Sequence, residues 1–428
     1  MAASTESLSE AVSERSSTKA PSENIFSNRT SLLDVKTVIV ESREAINLAG
    51  FYHLYWIALG IFVLSTFLIN WVENGYLLGG AVAQCCFSDP WGVVAGELLM
   101  ASSTLASGLC IFCPLGRFSV LRLFLPLATL VIGVLFGFQR GWSGLQRAIF
   151  LLHSLAVIMK IYAFIRYHYG RTVRRKHFRE KTIKYIHFLF APTLVYSDAF
   201  PLNVRIRKRI LLERATGIAL CGVAMYIVVE NYIFPPLLTI STLRHLVTRE
   251  TNPRFVSHVL MQVVLAYARL LLPCSAFFLL FFFFVFEYWC NLFAELTRFA
   301  DRQFYTDWWN GISFYDFSTR WNVPVHRFLQ KHVYRELLDT FHRSVGTARF
   351  LTFLVSSLFH ELVMFIMMGP GKYTFSFVFL FQMLQLPLIS VVVGSGWARR
   401  NVNLANWLFW ILLVIGLPSI AISYSITA

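Results

Sequence analysis

The sequence predicts an all-α polytopic membrane protein with about nine transmembrane helices and a cytosolic amphipathic helical segment. Three observations carry this. Mean hydropathy is +0.58, and 56% of the residues are hydrophobic. Many apolar runs reach the roughly 20 residues needed to cross a hydrocarbon core of about 30 Å. Backbone groups in hydrocarbon have no water to bond, so runs of that length must close their hydrogen bonds internally, as helices. An ordinary soluble domain is excluded.

Residues 1–48 are rich in Ser, Thr and Glu and poor in aromatics, which predicts a disordered cytosolic tail ahead of a membrane domain at 49–428. No basic segment followed by an apolar core marks a cleaved signal peptide, so the first span is expected to act as an internal signal. Spans are expected near 51–71, 91–113, 119–138, 145–165, 212–233, 257–290, 350–368, 374–394 and 405–425. The sixth is longer than one crossing needs and should project beyond the membrane. Between the fourth and fifth spans stand Arg166, Arg171, Arg174, Arg175, Lys176, Arg179 and Lys181, then Arg205, Arg207, Lys208 and Arg209. The positive-inside rule assigns this loop to the cytosol. Counting spans from it makes 291–349 cytosolic too, together with Arg399 and Arg400, although Arg244, Arg249 and Arg254 then fall on the lumenal side.

The formal net charge of +15 does not point to nucleic acid, because the basic residues cluster in loops between apolar spans. They read as topology signals and as a landing surface for anionic headgroups or a phosphorylated ligand. The seven cysteines form no disulfide framework. Cys110 and Cys113 have CxxC spacing without a partner pair or histidines, so zinc and redox roles are set aside.

The 291–349 region is dense in aromatics and mixes both charges: Asp301, Arg302, Asp307, Arg320, His326, Arg327, Lys331 and His332. Asp316 or Ser318 could cap a helix from about Thr319 to Leu338. On it Trp321, Val325, Phe328, Leu329 and His332 recur at helical spacing, which lays one face on the membrane surface.

His360 lies inside an apolar span, where an ionisable group is costly and usually faces a bundle interior or a wet cavity. Thr352, Ser356 and His360 share one helix face, so a hydroxyl one turn away could orient the ring. An imidazole of ordinary pKa about 6.5 suits a general base, and burial favours its neutral form. The plain alternative is a hydrogen-bonded core histidine. Glu361 points about 100° away and reads as a brace or interhelical partner. Gln382 and Gln385 share a face of the next span, as interhelical glue or the lining of a polar pocket. Asp307 has no second carboxylate at useful spacing, so no metal site is expected. No phosphate loop, GxSxG elbow or HExxH motif is present.

Phe304-Tyr-Thr-Asp-Trp-Trp-Asn310 resembles the FYxDWWN motif of the sterol O-acyltransferase and type 1 diacylglycerol acyltransferase branch of the membrane-bound O-acyltransferases (MBOAT family). The likeness extends through Ala294–Arg302, Trp321–His326, Ser356–Glu361 and Gln385–Pro387, and Phe190–Tyr196 resembles the branch's PTLxY segment. It covers roughly residue 185 to the C-terminus.

The resemblance implies a helical enzyme of the endoplasmic reticulum membrane, commonly a homo-oligomer, that joins acyl-CoA to a lipid hydroxyl. By its pattern His360 is the general base and Asn322 assists at the reacting groups. His326, Tyr334 and Ser356 bind the CoA arm. Phe304, Tyr305, Asp307, Trp308, Trp309 and Asn310 shape the acyl-CoA entrance, and Gln385 borders the acceptor pocket. One departure stands out. Related enzymes often have a lysine near the CoA phosphates fifteen residues before the histidine, where this chain has Val345, with Arg343 and Arg349 nearby.

The implied chemistry needs no cofactor, because a thioester is already activated. The base takes the acceptor's hydroxyl proton as its oxygen attacks the acyl carbonyl, and Asn322 could donate to the developing oxyanion. The acceptor is a sterol by the likeness of Phe317–Tyr334 and Phe381–Pro387 to fungal sterol acyltransferases. Diacylglycerol, or dual use, is the alternative suggested by Arg205–Leu212. A transporter or channel could also place histidine, glutamines and carboxylates among helices, but no pair of broken helices at related positions supports it.

Overall fold

The computed structural model describes residues 49–75, 77, 80–110, 119–168, 178–247, 252–369 and 396–427. The expected tail at 1–48, the span at 374–394 with Gln382 and Gln385, and Cys113 lie outside the described residues. Among the described residues the fold is helical, without a strand. Seven helices are long and apolar enough to cross a membrane, against about nine expected. Ser119–Gln139 is a further apolar helix of 21 residues.

The bundle has two groups of packed helices. Ala49–Asn74 lies against Lys208–Val228, whose chain continues through a π-helical turn, Val229–Ile233, into Phe234–Val247. Pro253–Phe282 packs on Val402–Thr427 and on Phe234–Val247. Asn252 starts it by accepting from the Arg254 N–H at 3.0 Å, with Pro253 at the first helical position, where a missing N–H costs nothing. The second group is Pro90–Cys110, Ser119–Gln139, Gly144–His168 and Val345–Met368. Glycines permit the closest approaches. A Cβ on Gly217 would overlap the Tyr288 ring, and one on Gly108 would overlap Tyr185.

The sixth expected span is the long one. Pro253–Leu296 runs 44 residues without interruption and widens into a π-helical stretch at Phe283–Trp289. Its end reaches the segments that carry the basic loop. Arg207 meets Glu295 at 2.9 Å, and Arg166 meets Glu336 at 2.9 Å. The described basic segments around 166–209 and the region 291–349 therefore gather at one end of the bundle, as the charge rule requires.

The helix expected from Thr319 to Leu338 is instead two. Phe314–Arg320 is capped by Ser313, which accepts from the Asp316 N–H. The Asp316 carboxylate in turn accepts from the Ile312 N–H and the Ser313 hydroxyl. A second helix starts after Asn322, at Val323–Leu329, and continues through Gln330–Tyr334 to Arg335–Asp339. The break follows from Pro324. Within one continuous helix its ring would strike the Arg320 carbonyl and it could not donate back to it.

Candidate active site

The Phe304–Asn310 segment is built as the floor of the end where the basic segments gather. Phe304 and Trp308 are each 2% exposed, and Tyr305 is buried with them. They sit in an aromatic core with Phe282, Phe286, Phe299 and Phe409. Trp308 makes edge contacts with Phe278, Phe282 and Trp321, with ring centroids 5.2–5.7 Å apart, a geometry favoured by the ring quadrupole. The backbone locks this floor to the WN pair, since Thr306 N donates to Arg320 O at 2.9 Å and Val323 N to Phe304 O at 3.0 Å. Trp309 anchors the last helix, its carbonyl accepting from Asn406 and Trp410. Asp307 and Asn310 face outward, with Arg320 3.5 Å from Asp307. The six motif residues thus divide. Three buried rings pack, while Asp307 and Asn310 offer polar surface beside half-buried Trp309.

A buried polar chain supports the floor from the membrane side. The Tyr305 hydroxyl donates to Glu287 at 2.7 Å, and Glu287 pairs with Arg214 at 2.7 Å. Glu287 and Arg214 stand 0% and 3% exposed, on two helices long enough to span the membrane. Glu295 likewise receives Arg207 and Arg302, and Asp301 receives Arg327 at 2.8 Å. Lys160, inside a third apolar span, points its ammonium at the carbonyls of Phe188, Leu189 and Ala191. It closes the C-terminus of Phe178–Phe190, where carbonyls lack intrahelical partners and cations are favoured. Sequence reasoning named Arg207, Asp301, Arg302 and Arg327 only as loop charges without their partners, and passed over Lys160, Arg214 and Glu287. The signal was available, since charges within apolar runs mark paired interior sites.

The PTLxY-like segment follows. The Tyr196 ring packs edge-on against Phe164 and Phe188, and its hydroxyl donates to Asp198. Burial pushes the Asp198 carboxyl upward, but hydrogen bonds from Lys181, Tyr196 and Tyr167 outweigh it and hold the group below its usual value.

His360 sits on Val345–Met368, a helix that packs on Gly144–His168 and on Gln330–Tyr334. Its Nδ1 lies 2.8 Å from the Ser356 carbonyl. A carbonyl only accepts, so Nδ1 carries the hydrogen and Nε2 of the neutral ring holds the free lone pair. The partner is the Ser356 backbone rather than its hydroxyl, and the ring is exposed rather than buried. The expected burial of the ring is not found, and Nε2 belongs to an exposed side chain. Asn322 is half-buried and caps its helix, Oδ1 accepting from Val325 N at 3.2 Å. That helix carries His326, which burial, followed by the charge of Arg327, holds below its usual value. His326 and Tyr334 are half-buried, and the segment ending at Tyr334 abuts the helix of Ser356 and His360. Val345 is exposed in the first turn of that helix, with exposed Arg343 and Arg349 beside it. Gln385 lies outside the described residues.

The described residues thus form a long helical bundle with an exposed imidazole on one apolar helix and a polar, aromatic-floored face at the end where the basic segments gather. The profile of the MBOAT, membrane-bound O-acyltransferase family matches residues 177–427, and the chain belongs to that family. It is 31% identical over 89% of its length to probable sterol O-acyltransferase 2 of Schizosaccharomyces pombe, covering 88% of that protein. Mouse sterol O-acyltransferase 1 is 29% identical over 95% of this chain and 75% of its own. Sterol O-acyltransferase 2 of Saccharomyces cerevisiae is 32% identical over 56% of this chain, a match spanning 36% of the yeast protein.

Proposed function

We propose that this protein transfers a fatty acyl group from acyl-CoA to a sterol hydroxyl, forming steryl esters. The observation that carries the reading is His360. A membrane-embedded imidazole with Nδ1 committed to the Ser356 carbonyl presents Nε2 as an acceptor. The names of the relatives give the acceptor class as sterol.

In the proposed reaction Nε2 accepts the sterol hydroxyl proton as the oxygen attacks the thioester carbon. Asn322 donates its amide N–H to the oxyanion while its Oδ1 holds the helix start. As the tetrahedral intermediate collapses the C–S bond breaks, and the imidazolium returns the proton to the CoA thiolate. The thioester supplies its own activation, so no cofactor is invoked. General-base assistance of this kind is worth about 10²–10⁴-fold. The CoA arm runs past His326, Tyr334 and Ser356. Arg343 and Arg349, at the N-terminus of the His360 helix, supply the positive charge that a lysine at position 345 would bring. Gln385 borders the acceptor, and Asp307, Trp309 and Asn310 shape the entrance above the floor made by Phe304, Tyr305 and Trp308. The enzyme works as a homo-oligomer in the endoplasmic reticulum membrane.

The test is expression in a host lacking neutral lipids, with labelled acyl-CoA fed to its microsomes. Steryl ester is expected, with its formation reduced by at least about 10²-fold in His360→Ala. Triacylglycerol without steryl ester would reassign the acceptor to diacylglycerol. Undiminished ester formation by His360→Ala would remove the base.

A further inference from the structure

One ionisable pair in the bundle lies on its outer surface. His153, on Gly144–His168, places Nδ1 2.9 Å and 3.1 Å from the two carboxylate oxygens of Glu97, on Pro90–Cys110. The two side chains are 52% and 39% exposed. Val94, Leu98, Ile149 and Leu152 surround them, all about half exposed or more, so the face around the pair is otherwise a hydrocarbon-facing surface. At about 1.5 Å per residue, Glu97 lies roughly 10 Å from the start of its helix and His153 roughly 13 Å from the start of its own. Trp91, 82% exposed at that same end, marks the interface level, and the pair lies deeper.

An exposed carboxylate and imidazole at that depth are costly. A polar contact between Pro90–Cys110 and the neighbouring Ser119–Gln139 is turned further inward, Ser103 meeting the buried Thr129 at 2.9 Å. The His153–Glu97 contact uses only Nδ1 of the ring. Nε2 has no hydrogen-bond partner among the described residues, and the carboxylate keeps unused lone pairs. The site is also separate from the proposed reaction centre. Leu151 and Leu155 pack with Ile366 of the His360 helix. His153, two residues from each, points about 200° around the helix from them.

We propose that Glu97 and His153 form a lipid-facing binding site for a membrane lipid with a free hydroxyl on an otherwise apolar body. The Glu97 carboxylate accepts from Nδ1–H of His153 and fixes the ring, and Nε2 accepts the hydroxyl hydrogen. The apolar body lies along Leu98 and Leu152. A phospholipid fits poorly, because its polar groups stay at the interface and its acyl chains carry no donor. A sterol has one hydroxyl and a flat hydrocarbon body, and its selection as occupant rests on the proposed function.

The experiment uses the full chain in lipid vesicles with a photoreactive sterol, adducts being mapped by mass spectrometry. It is run in the His360→Ala background so that binding is read without turnover. Adducts are expected on the faces around 94–98 and 149–153. They should be competed by unlabelled sterol but not by its 3-O-methyl ether, and should fall at least about fivefold in Glu97→Leu and His153→Leu, changes that suit a lipid-facing surface. Equal labelling in those variants, or equal competition by the ether, overturns the site. So does quantitative cross-linking of His153→Cys between two copies without sterol adducts, which would assign the face to a subunit interface. Loss of ester formation in microsomes with adducts retained here would fault the proposed function alone.

Discussion

Replacing Glu287 tests the most consequential buried contact in the fold. The carboxylate is 0% exposed and receives Arg214 and Tyr305, both at 2.7 Å. Glu287→Leu removes the carboxylate paired with a guanidinium that is 3% exposed inside the bundle. Breaking a buried ion pair from one side costs about 3–5 kcal/mol. Tyr305→Phe removes one hydrogen bond to a charged acceptor, a loss of about 1.5–3 kcal/mol. The pair itself contributes less than either figure, because desolvating both ions cancels much of their attraction. Arg214→Met combined with Glu287→Leu should therefore be more stable than Glu287→Leu alone. The assay is thermal unfolding of the detergent-solubilised chain across the single and double variants, with steryl ester formation beside it. The expected order of melting temperature is wild type, then Tyr305→Phe, then the double variant, with Glu287→Leu lowest. Activity should fall with Tyr305→Phe, because the floor beneath Asp307 and Asn310 is loosened. If Glu287→Leu melts with the wild type, or the double variant melts below Glu287→Leu, the guanidinium is not held by this carboxylate and the membrane-side support is refuted.

Asn322 has two jobs that substitution separates: Asn322→Asp keeps the helix cap, so retained stability with lost ester formation is expected. Asn322→Ala should lose the cap as well, at a cost of about 0.5–2 kcal/mol. Full activity in Asn322→Asp would leave only the cap. Arg343→Ala with Arg349→Ala should raise KM for acyl-CoA several-fold at nearly unchanged kcat, measured by initial rates; an unchanged KM removes both from the CoA arm. Lys160→Met should lower the melting temperature and expression, because three carbonyls lose their donor at about 1–3 kcal/mol for each group left buried and unsatisfied. His332 is held down to about 4, first by burial and then by the charge of Lys331, against an upward pull from Glu336. The folded state therefore resists its protonation, and its contribution is intact above about pH 6.5 and falls by about 1.4 kcal/mol per unit as pH drops toward 4. Melting curves between pH 7 and 4 should flatten in His332→Phe, and parallel curves would refute the assignment.

The spans were legible because hydrocarbon imposes one rule on the backbone, and long apolar runs obey it visibly. Lys208–Val228 and the helix from Pro253 begin within about four residues of the expected starts at 212 and 257. Pro324 was equally visible, yet the periodicity of Trp321, Val325, Phe328 and Leu329 outweighed it, and one helix was expected where the proline ring enforces two. Burial was harder to read. Trp and Tyr near a membrane end usually anchor at the interface, and nothing in a one-dimensional pattern tells Trp308, which is caged, from Trp309, whose carbonyl holds a distant helix. Ion pairs between Arg214 and Glu287, or Arg207 and Glu295, join residues 73 and 88 positions apart. Charge rules announce that such groups need partners without saying which.

That division of charges is itself informative about how the protein works. Buried charged groups at the end where the basic segments gather are spent on holding the fold. Arg214, Glu287, Glu295, Arg302 and Asp301 are all buried and matched to one another or to Arg207 and Arg327. None of them is left to accept a proton from an alcohol. His360 differs in kind, since its hydrogen bond among the described residues is with its own helix backbone and its ring is exposed. A group fixed at one nitrogen and accessible at the other can turn over protons without disturbing the packing around it. Under the proposed function structure and chemistry are carried by different residues, and substitution at His360 should abolish turnover at little cost to melting temperature, the reverse of the pattern expected at Glu287.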